Sequence, residues 1–292
     1  MSVQNVTAIA ALVVELAPAA AFGFAAERVT RALQRWPVSA RIAFPALHVL
    51  PYVLVSLSQH IFRWGWCALY AGLPVGIAWL LQQATVADPE QRGNWRDAAV
   101  LLLLGLAVDL RWLDEAWPGA LRALNELLLV DIGLYGFLAV RQLSGTGFDF
   151  HLRWSDCKSG LRELVLFTPL VLTLGLALGF LHPHANLPPL STAGLRWVRI
   201  FFFTAVPEEL FFRAWVQNLL ERRLGRRTAL VTASAAFGLS HFNKPSAHFN
   251  WRYVLLATIA GIFYGRAWRE GRRVPASSIT HAGVDWIWGL WF

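Results

Sequence analysis

Charged residues are scarce in this sequence. Only 15% of the 292 residues are Asp, Glu, Lys or Arg, whereas 56% are hydrophobic. A soluble domain usually has about 25% charged residues. The shortage of charge therefore excludes an ordinary soluble domain and predicts a membrane protein.

Cysteine is also nearly absent, since Cys67 and Cys157 are the only two. Two distant cysteines are too few for a disulfide framework or a structural zinc site. We interpret both as small apolar side chains.

Acidic residues are fewer than basic ones, with 18 Asp and Glu against 26 Lys and Arg, which gives a net charge of +8. The arginines are dispersed between apolar runs and form no continuous basic face. This pattern is typical of topology signals and of contact with anionic lipid headgroups. We therefore expect the lipid bilayer as a partner and no nucleic acid. The first residues also lack the basic segment and small-residue cleavage site of a removable signal peptide.

Long apolar segments make up most of the sequence. A membrane-spanning helix needs about 20 mostly apolar residues. The candidate segments are 6–26, 42–58, 65–82, 98–113, 120–140, 164–182, 197–220, 228–242, 252–268 and 274–292. They predict an all-α, polytopic transmembrane helix bundle with about eight to ten membrane helices.

The connections between these segments differ in charge. With the N-terminus outside, the inner connections hold most of the arginines, and the outer connections hold only Arg63, Arg196 and Lys244. Cytoplasmic loops carry an excess of Lys and Arg. The distribution predicts a multi-pass protein of the plasma (inner) membrane.

The stretch 141–163 separates two regions. Ser155 and Asp156 are a helix start signal, and we interpret the stretch as ending in a short interfacial helix before a membrane helix at 164. We predict an N-terminal membrane region over 1–160, which carries no recognised motif, and a second membrane domain over 161–292, which carries the candidate site.

Ionisable residues lie inside three successive apolar segments of the last third. They are Glu208, Glu209, Arg213, His241, His281 and Asp285. Burying such groups in the bilayer costs several kcal/mol. With a rise of about 1.5 Å per residue, Glu208, His241, His281 and Asp285 all fall near the bilayer midplane. This coincidence favours a chemical role.

These ionisable residues also have a purely structural interpretation. Glu209 and Arg213 are four residues apart and would form a salt bridge along one helix. His281 and Asp285 share the same spacing and would form a self-satisfied polar pair. Glu208 lies about 100° around the helix from Glu209 and is left without an intrahelical partner. An intramembrane acid of that kind is a functional candidate.

Three motifs together resemble those of a known family. They are Glu208-Glu209-x3-Arg213, Phe237-x3-His241 and His281-x3-Asp285. The set resembles the CAAX-protease and bacteriocin-processing (CPBP) family, the glutamic-type intramembrane endopeptidases related to the type II CAAX prenyl endopeptidases. The resemblance covers about residues 195–292.

The resemblance implies a role for each residue. Glu208 with His241 would activate a water molecule for attack on a peptide carbonyl. Glu209 and Arg213 would be supporting residues that hold their helix in register.

His281 and the residue four positions later would stabilise the oxyanion. The family usually has Asn there, whereas this chain has Asp285. Either Asp285 is neutral and donates a hydrogen bond, or it is ionised and orients His281.

Other functions stay open at this point. Glu and His residues could bind zinc, but the close His-x3-His pair of helix-borne zinc proteases is missing, so we expect no cofactor and keep zinc as the alternative. The expected substrate is a peptide or a lipidated protein. A non-catalytic immunity or assembly protein of the same family is a second hypothesis. A transporter that uses the buried acids is a third; these acids are Glu15, Asp109, Glu126 and Asp131.

Overall fold

The fold is all-helical. The computed structural model describes residues 3–185, 187–244 and 248–292, and these ranges contain no β-strand. About 80% of the structure is helix, which confirms the predicted fold class. The chain divides into two compact units, Met1–Ser144 and Gly145–Phe292.

The first unit is built from six α-helices. They are α1 Val3–Gln34, α2 Val38–Ala43, α3 Val49–Ser58, α4 Trp64–Ala87, α5 Trp95–Asp109 and α6 Ala123–Leu134. A 3-10 segment at Phe44–His48 joins α2 to α3, and a π-helical segment at Tyr135–Val140 extends α6. The unit also contains the 3-10 turns Asp114–Ala116 and Gly119–Leu121.

The second unit contains the helices on which the candidate site residues lie. They are α7 Trp154–Ala177, α8 Leu190–Ile200, α9 Val206–Glu209, α10 Asn218–Leu224, α11 Arg226–Leu239, α12 Trp251–Gly271 and α13 Val274–Trp291. π-Helical segments at Phe201–Ala205 and Leu210–Gln217 join α8, α9 and α10 into one continuous helical run.

Five helical segments in the described residues are long and apolar enough to cross a membrane. They are Gln4–Gln34, Val38–Ser58, Trp64–Ala87, Gly119–Val140 and Trp154–Ala177. The chain is therefore a multi-pass membrane protein. Only the last of these segments lies in the second unit. Helices α8, α9, α10 and α11 of that unit are each shorter than 18 residues.

Helix α7 differs from the predicted boundaries. No separate interfacial helix precedes a membrane helix at 164, because α7 runs without interruption from Trp154 to Ala177. The start signal itself is correct, since Asp156 accepts a hydrogen bond of 2.9 Å from the backbone N–H of Arg153. Two acids in its first turns are ion-paired within the unit, Asp156 with Arg273 at 2.7 Å and Glu163 with Arg266 at 3.0 Å.

Those ion pairs join helix ends at one end of the second unit, which we call the arginine-rich end. It comprises the starts of α7, α11 and α13 and the ends of α10 and α12. Arg273 contacts Asp156 at 2.7 Å and Asp149 at 2.8 Å. Glu221 accepts from Arg269 at 2.9 Å and from Arg272 at 2.7 Å.

Small residues let the helices of this unit approach closely. The hydroxyl of Thr280 on α13 donates to the carbonyl of Gly160 on α7 at 2.9 Å, and a Cβ at Gly160 would lie only 2.6 Å from the carbonyl oxygen of Ala276. A Cβ at Gly238 on α11 would collide with Thr258 on α12. Such contacts are the usual basis of helix packing in membranes, and they fix where α11, α12 and α13 place their polar residues.

Candidate active site

The two adjacent glutamates lie in a short α-helical turn between two π-helical segments. Glu208 and Glu209 end α9, after the π-helical Phe201–Ala205 and before the π-helical Leu210–Gln217. Pro207 has no N–H and cannot complete the regular helical hydrogen-bond pattern. π-Helical turns are rare and occur frequently at functional sites.

Glu209 and Arg213 form the ion pair that their spacing predicts. The Arg213 Nε donates to Glu209 Oε2 at 2.9 Å, and both side chains are fully buried. The guanidinium carbon of Arg213 also lies 5.3 Å from the centre of the Phe237 ring. The second oxygen of Glu209, Oε1, lies 2.9 Å from His281 Nδ1. Glu209 therefore connects α9 to α13.

His281 is oriented by this contact. An ionised carboxylate oxygen can only accept a hydrogen bond, so His281 Nδ1 carries a proton and donates it in the hydrogen bond to Glu209. The opposite nitrogen, Nε2, lies 3.5 Å from Asp285 Oδ2 and 3.9 Å from Glu208 Oε2. The Tyr264 ring stacks on the imidazole with 4.6 Å between ring centroids. Nε2 is thus directed toward two carboxylates, and the ring plane is held by an aromatic neighbour.

His241 lies two residues beyond the end of α11. Its Nδ1 is 2.8 Å from the Phe237 carbonyl oxygen, and a carbonyl can only accept, so Nδ1 carries a proton. In the neutral imidazole, Nε2 is then the basic atom. The rings of Phe237 and Tyr253 contact the imidazole at centroid distances of 4.9 and 4.7 Å.

One cavity of about 280 Å³ brings four of the predicted residues together. Its lining includes Glu208, His241, His281 and Asp285. Most of the remaining lining is apolar or aromatic and comes from α7, α12 and α13. The side chains of Glu208 and Asp285 are partly exposed, at 28% and 31%. A mostly apolar cavity with a few convergent polar groups is the usual form of a ligand-binding site.

The two predicted supporting residues lie outside that lining. Glu209 and Arg213 are absent from the cavity wall and fully buried. The arrangement separates four groups that can reach a bound molecule from two that can act only through their neighbours.

Several residues of the site carry no signal in the sequence. Tyr264 and Tyr253 lie in the apolar segment of α12, where an aromatic residue is ordinary, yet each contacts one of the two histidines. Lys244 also lines the cavity. The hydrogen bond between Glu209 and His281 joins residues 72 positions apart, a separation that no helical spacing can predict.

Two of the other acids singled out in the sequence are buried in the first unit. Glu15 and Asp131 are 3% and 2% exposed. Neither carboxylate oxygen of Glu15 has a hydrogen-bond partner among the described residues. Neither residue contributes to the lining of the cavity described above.

The described residues contain no group of three or more His, Cys, Asp or Glu side chains in a metal-binding arrangement.

A family model matches the part of the chain that forms this site. Residues 190–287 match the model described as type II CAAX prenyl endopeptidase, Rce1-like. The match covers about a third of the chain and includes all six predicted site residues, and it confirms the resemblance to the CPBP family over this region. It supports a membrane protease of the CAAX type. No curated protein and no solved structure matches the chain.

Proposed function

We propose that this protein is a glutamic-type intramembrane endopeptidase, which hydrolyses a peptide bond of a membrane-associated substrate with an activated water. The observation that carries the proposal is the convergence of Glu208, His241, His281 and Asp285 on one cavity. The match of residues 190–287 to a family of endopeptidases gives the same class of reaction. Its substrate is a peptide or a lipidated protein of the plasma membrane.

Glu208 is the general base of this mechanism. Its side chain lines the cavity and is 28% exposed, and its buried Oε2 has no hydrogen-bond partner among the described residues. In this mechanism the Glu208 carboxylate takes the proton of the attacking water. His241 lines the same cavity, and its Nδ1–H is held by the Phe237 carbonyl. That contact leaves Nε2 as the second basic atom available to the attacking water.

His281 stabilises the oxyanion that forms when water attacks the carbonyl. Glu209 holds its Nδ1–H, and Nε2 is the atom directed toward Glu208 and Asp285. Three carboxylates around one imidazole favour its positively charged form, in which Nε2 also carries a proton. A charged donor directed at the developing negative charge is the arrangement that such a reaction needs.

Asp285 acts through His281 in this mechanism. Its Oδ2 is 3.5 Å from His281 Nε2, and its side chain is 31% exposed. This contact places a carboxylate beside the imidazole nitrogen. Its negative charge then holds His281 in the protonated form. Asp285 is therefore a positioning residue here, in place of the oxyanion donor that the usual Asn would be.

Glu209 and Arg213 support the site from outside the cavity wall. Arg213 holds one oxygen of Glu209 and leaves the other for His281. The pair thereby fixes the orientation of the imidazole.

Glu208→Gln and His241→Ala test water activation. General acid–base groups contribute about 10²–10⁴-fold to a rate, and we expect losses of that size from either change. The double variant is expected to be little worse than the worse single variant, because the two groups act on one water. The measurement is cleavage by purified protein, with Glu90→Gln, a change at a well-exposed acid, as the matched control.

A substrate for this assay comes from comparing the protein termini of cells that express wild type or Glu208→Gln. Turnover near that of wild type in purified Glu208→Ala protein would remove the mechanism. A non-catalytic immunity or assembly protein predicts instead that Glu208→Gln keeps its function in cells. A transporter predicts dependence on Glu15 or Asp131.

A further inference from the structure

A second cavity of the second unit lies where three of its helices end. Its volume is about 520 Å³. Its lining residues lie directly after α7, between α11 and α12, in the first turn of α12 and at the end of α13. We call it the helix-end cavity. It is a neighbour of the active-site cavity, because Lys244 and Trp288 belong to the walls of both.

The charged side chains of the helix-end cavity are all basic. Lys244, Arg252 and His182 line it, and no Asp or Glu in the described part of the chain does so. The active-site cavity differs, since Glu208 and Asp285 lie in its wall. The first turn of α12 also contributes to the wall, and the N-terminal end of a helix carries partial positive charge. Like charges repel, so this arrangement is complementary to an anion.

Three aromatic rings that contact one another form an apolar part of the same wall. The ring centroids of Phe180 and Tyr253 are 5.4 Å apart, those of Phe180 and Trp288 5.5 Å, and those of Tyr253 and Trp288 5.4 Å. Asn250 joins the basic part to this cluster. Its Oδ1 accepts from the Tyr253 backbone N–H at 3.2 Å, and its Nδ2 donates to the Lys244 carbonyl at 3.4 Å. The cavity therefore suits a ligand that has both an anionic group and an apolar surface.

The helix-end cavity lies at the depth of the lipid headgroups. Helix α7 is the segment Trp154–Ala177, which is long and apolar enough to cross a membrane. Phe180 and His182 of the cavity wall follow directly after its end. Trp251, which begins α12 beside the cavity, is 51% exposed, and tryptophan is enriched at membrane–water interfaces. A phospholipid presents a phosphate and apolar chains together at this depth.

From these observations we propose that the helix-end cavity binds the headgroup of an anionic phospholipid. Lys244 and Arg252 hold the phosphate, and the three aromatic rings contact the glycerol and the upper part of an acyl chain. A headgroup with net negative charge binds better than phosphatidylcholine, whose quaternary ammonium brings a further positive charge beside the two basic side chains. The bound lipid lies next to the active-site cavity. This site does not depend on the proposed peptidase activity.

Lipid binding to the full-length protein, purified in detergent, tests this site. The probe is a short-chain phosphatidylglycerol with a fluorophore on its acyl chain, and binding is measured by fluorescence anisotropy. Phosphatidylcholine with the same chains and fluorophore is the comparison. We expect wild type to bind phosphatidylglycerol more tightly than phosphatidylcholine, and we expect added salt to weaken the preference because it screens exposed charges.

Removal of the basic side chains should weaken phosphatidylglycerol binding. Each Lys or Arg near an anionic headgroup contributes about 1 kcal/mol, which is about fivefold in affinity. We therefore expect about fivefold weaker binding for Arg252→Gln and about 25-fold for Lys244→Gln/Arg252→Gln. Arg252 is exposed, so its replacement should leave the fold intact. Arg252→Lys keeps the charge and should keep most of the affinity.

The matched control is Arg92→Gln, which removes one positive charge from a side chain that is 74% exposed and lies in neither cavity wall. We expect it to bind phosphatidylglycerol as wild type does. Equal affinity of wild type for the two lipids, or equal affinity of Arg252→Gln and Arg92→Gln for phosphatidylglycerol, would overturn the proposal. Binding of a soluble acidic peptide that requires Arg252, without binding of phosphatidylglycerol, would assign the cavity to a peptide and overturn it as well.

Discussion

Removal of Arg213 should destabilise the protein because it leaves a buried carboxylate short of its ionic partner. The side chains of Arg213 and Glu209 are both fully buried and lie 2.9 Å apart. Breaking a buried pair by removing one member costs about 3–5 kcal/mol. Glu209 would keep the hydrogen bond from His281 Nδ1 at 2.9 Å. We therefore expect the lower end of that range, about 3 kcal/mol, for Arg213→Ala.

Thermal unfolding of the purified protein in detergent measures this effect. A change of 1 kcal/mol shifts the midpoint by about 2–4 °C in larger domains, so 3 kcal/mol corresponds to about 6–12 °C. The matched control is Arg92→Ala. Arg92 pairs with Glu90, and their side chains are 74% and 68% exposed. Exposed pairs contribute about 0–1 kcal/mol, and we expect little change in Tm from this control.

The double variant Glu209→Gln/Arg213→Gln should recover part of the lost stability, since it leaves no uncompensated buried charge. A Tm for Arg213→Ala equal to that of Arg92→Ala would refute the electrostatic reasoning. If Arg213→Ala were stable and yet inactive, Arg213 would belong to the chemistry or to substrate binding.

Three further predictions concern activity and pH. If ionised Asp285 holds His281 in its charged form, Asp285→Asn should lose activity first on the alkaline side of a profile from about pH 6 to 9; an Asn variant that gains alkaline activity would show instead that a neutral Asp285 donates to the oxyanion. A strong chelator should leave cleavage unchanged, whereas loss of activity that added zinc restores would support the metal alternative. Burial alone would raise the pKa of Asp149, but hydrogen bonds from Arg273 and His151 outweigh it and hold the pKa at about 2. The stability from this carboxylate is present above its ordinary pKa near 3.8 and is lost as the pH falls toward 2; Asp149→Asn should therefore cost about 2 kcal/mol at pH 7, shown as a lower Tm, and almost nothing near pH 2, and equal stability at pH 7 would contradict it.

Local spacing in the sequence was enough to predict part of the site. Residues four apart share a helix face, so the Glu209–Arg213 pair and the closeness of His281 to Asp285 follow from the sequence alone. The all-helical membrane fold follows in the same way from apolar runs of membrane-spanning length. The start of α7 at Trp154 follows from Asp156, which accepts from the Arg153 backbone at 2.9 Å.

The length of α7 could not be predicted locally. Its first turns carry charged residues, which by sequence alone indicate the boundary of an apolar segment. Two of these residues are acids that form ion pairs with arginines far away in the sequence. Asp156 contacts Arg273 at 2.7 Å, and Glu163 contacts Arg266 at 3.0 Å. Partners more than 100 positions away stabilise the segment as one continuous helix.

The sequence by itself determined which ionisable residues each helix carries. Only the tertiary structure decided which of them meet: Glu209 with His281, Tyr264 with His281, and His241 with Tyr253. Those contacts depend on how closely the helices approach one another. That approach is set by small residues such as Gly160 and Gly238, whose missing side chains matter only against a neighbouring helix. The spacing of residues along one helix contains no information about the helix packed against it.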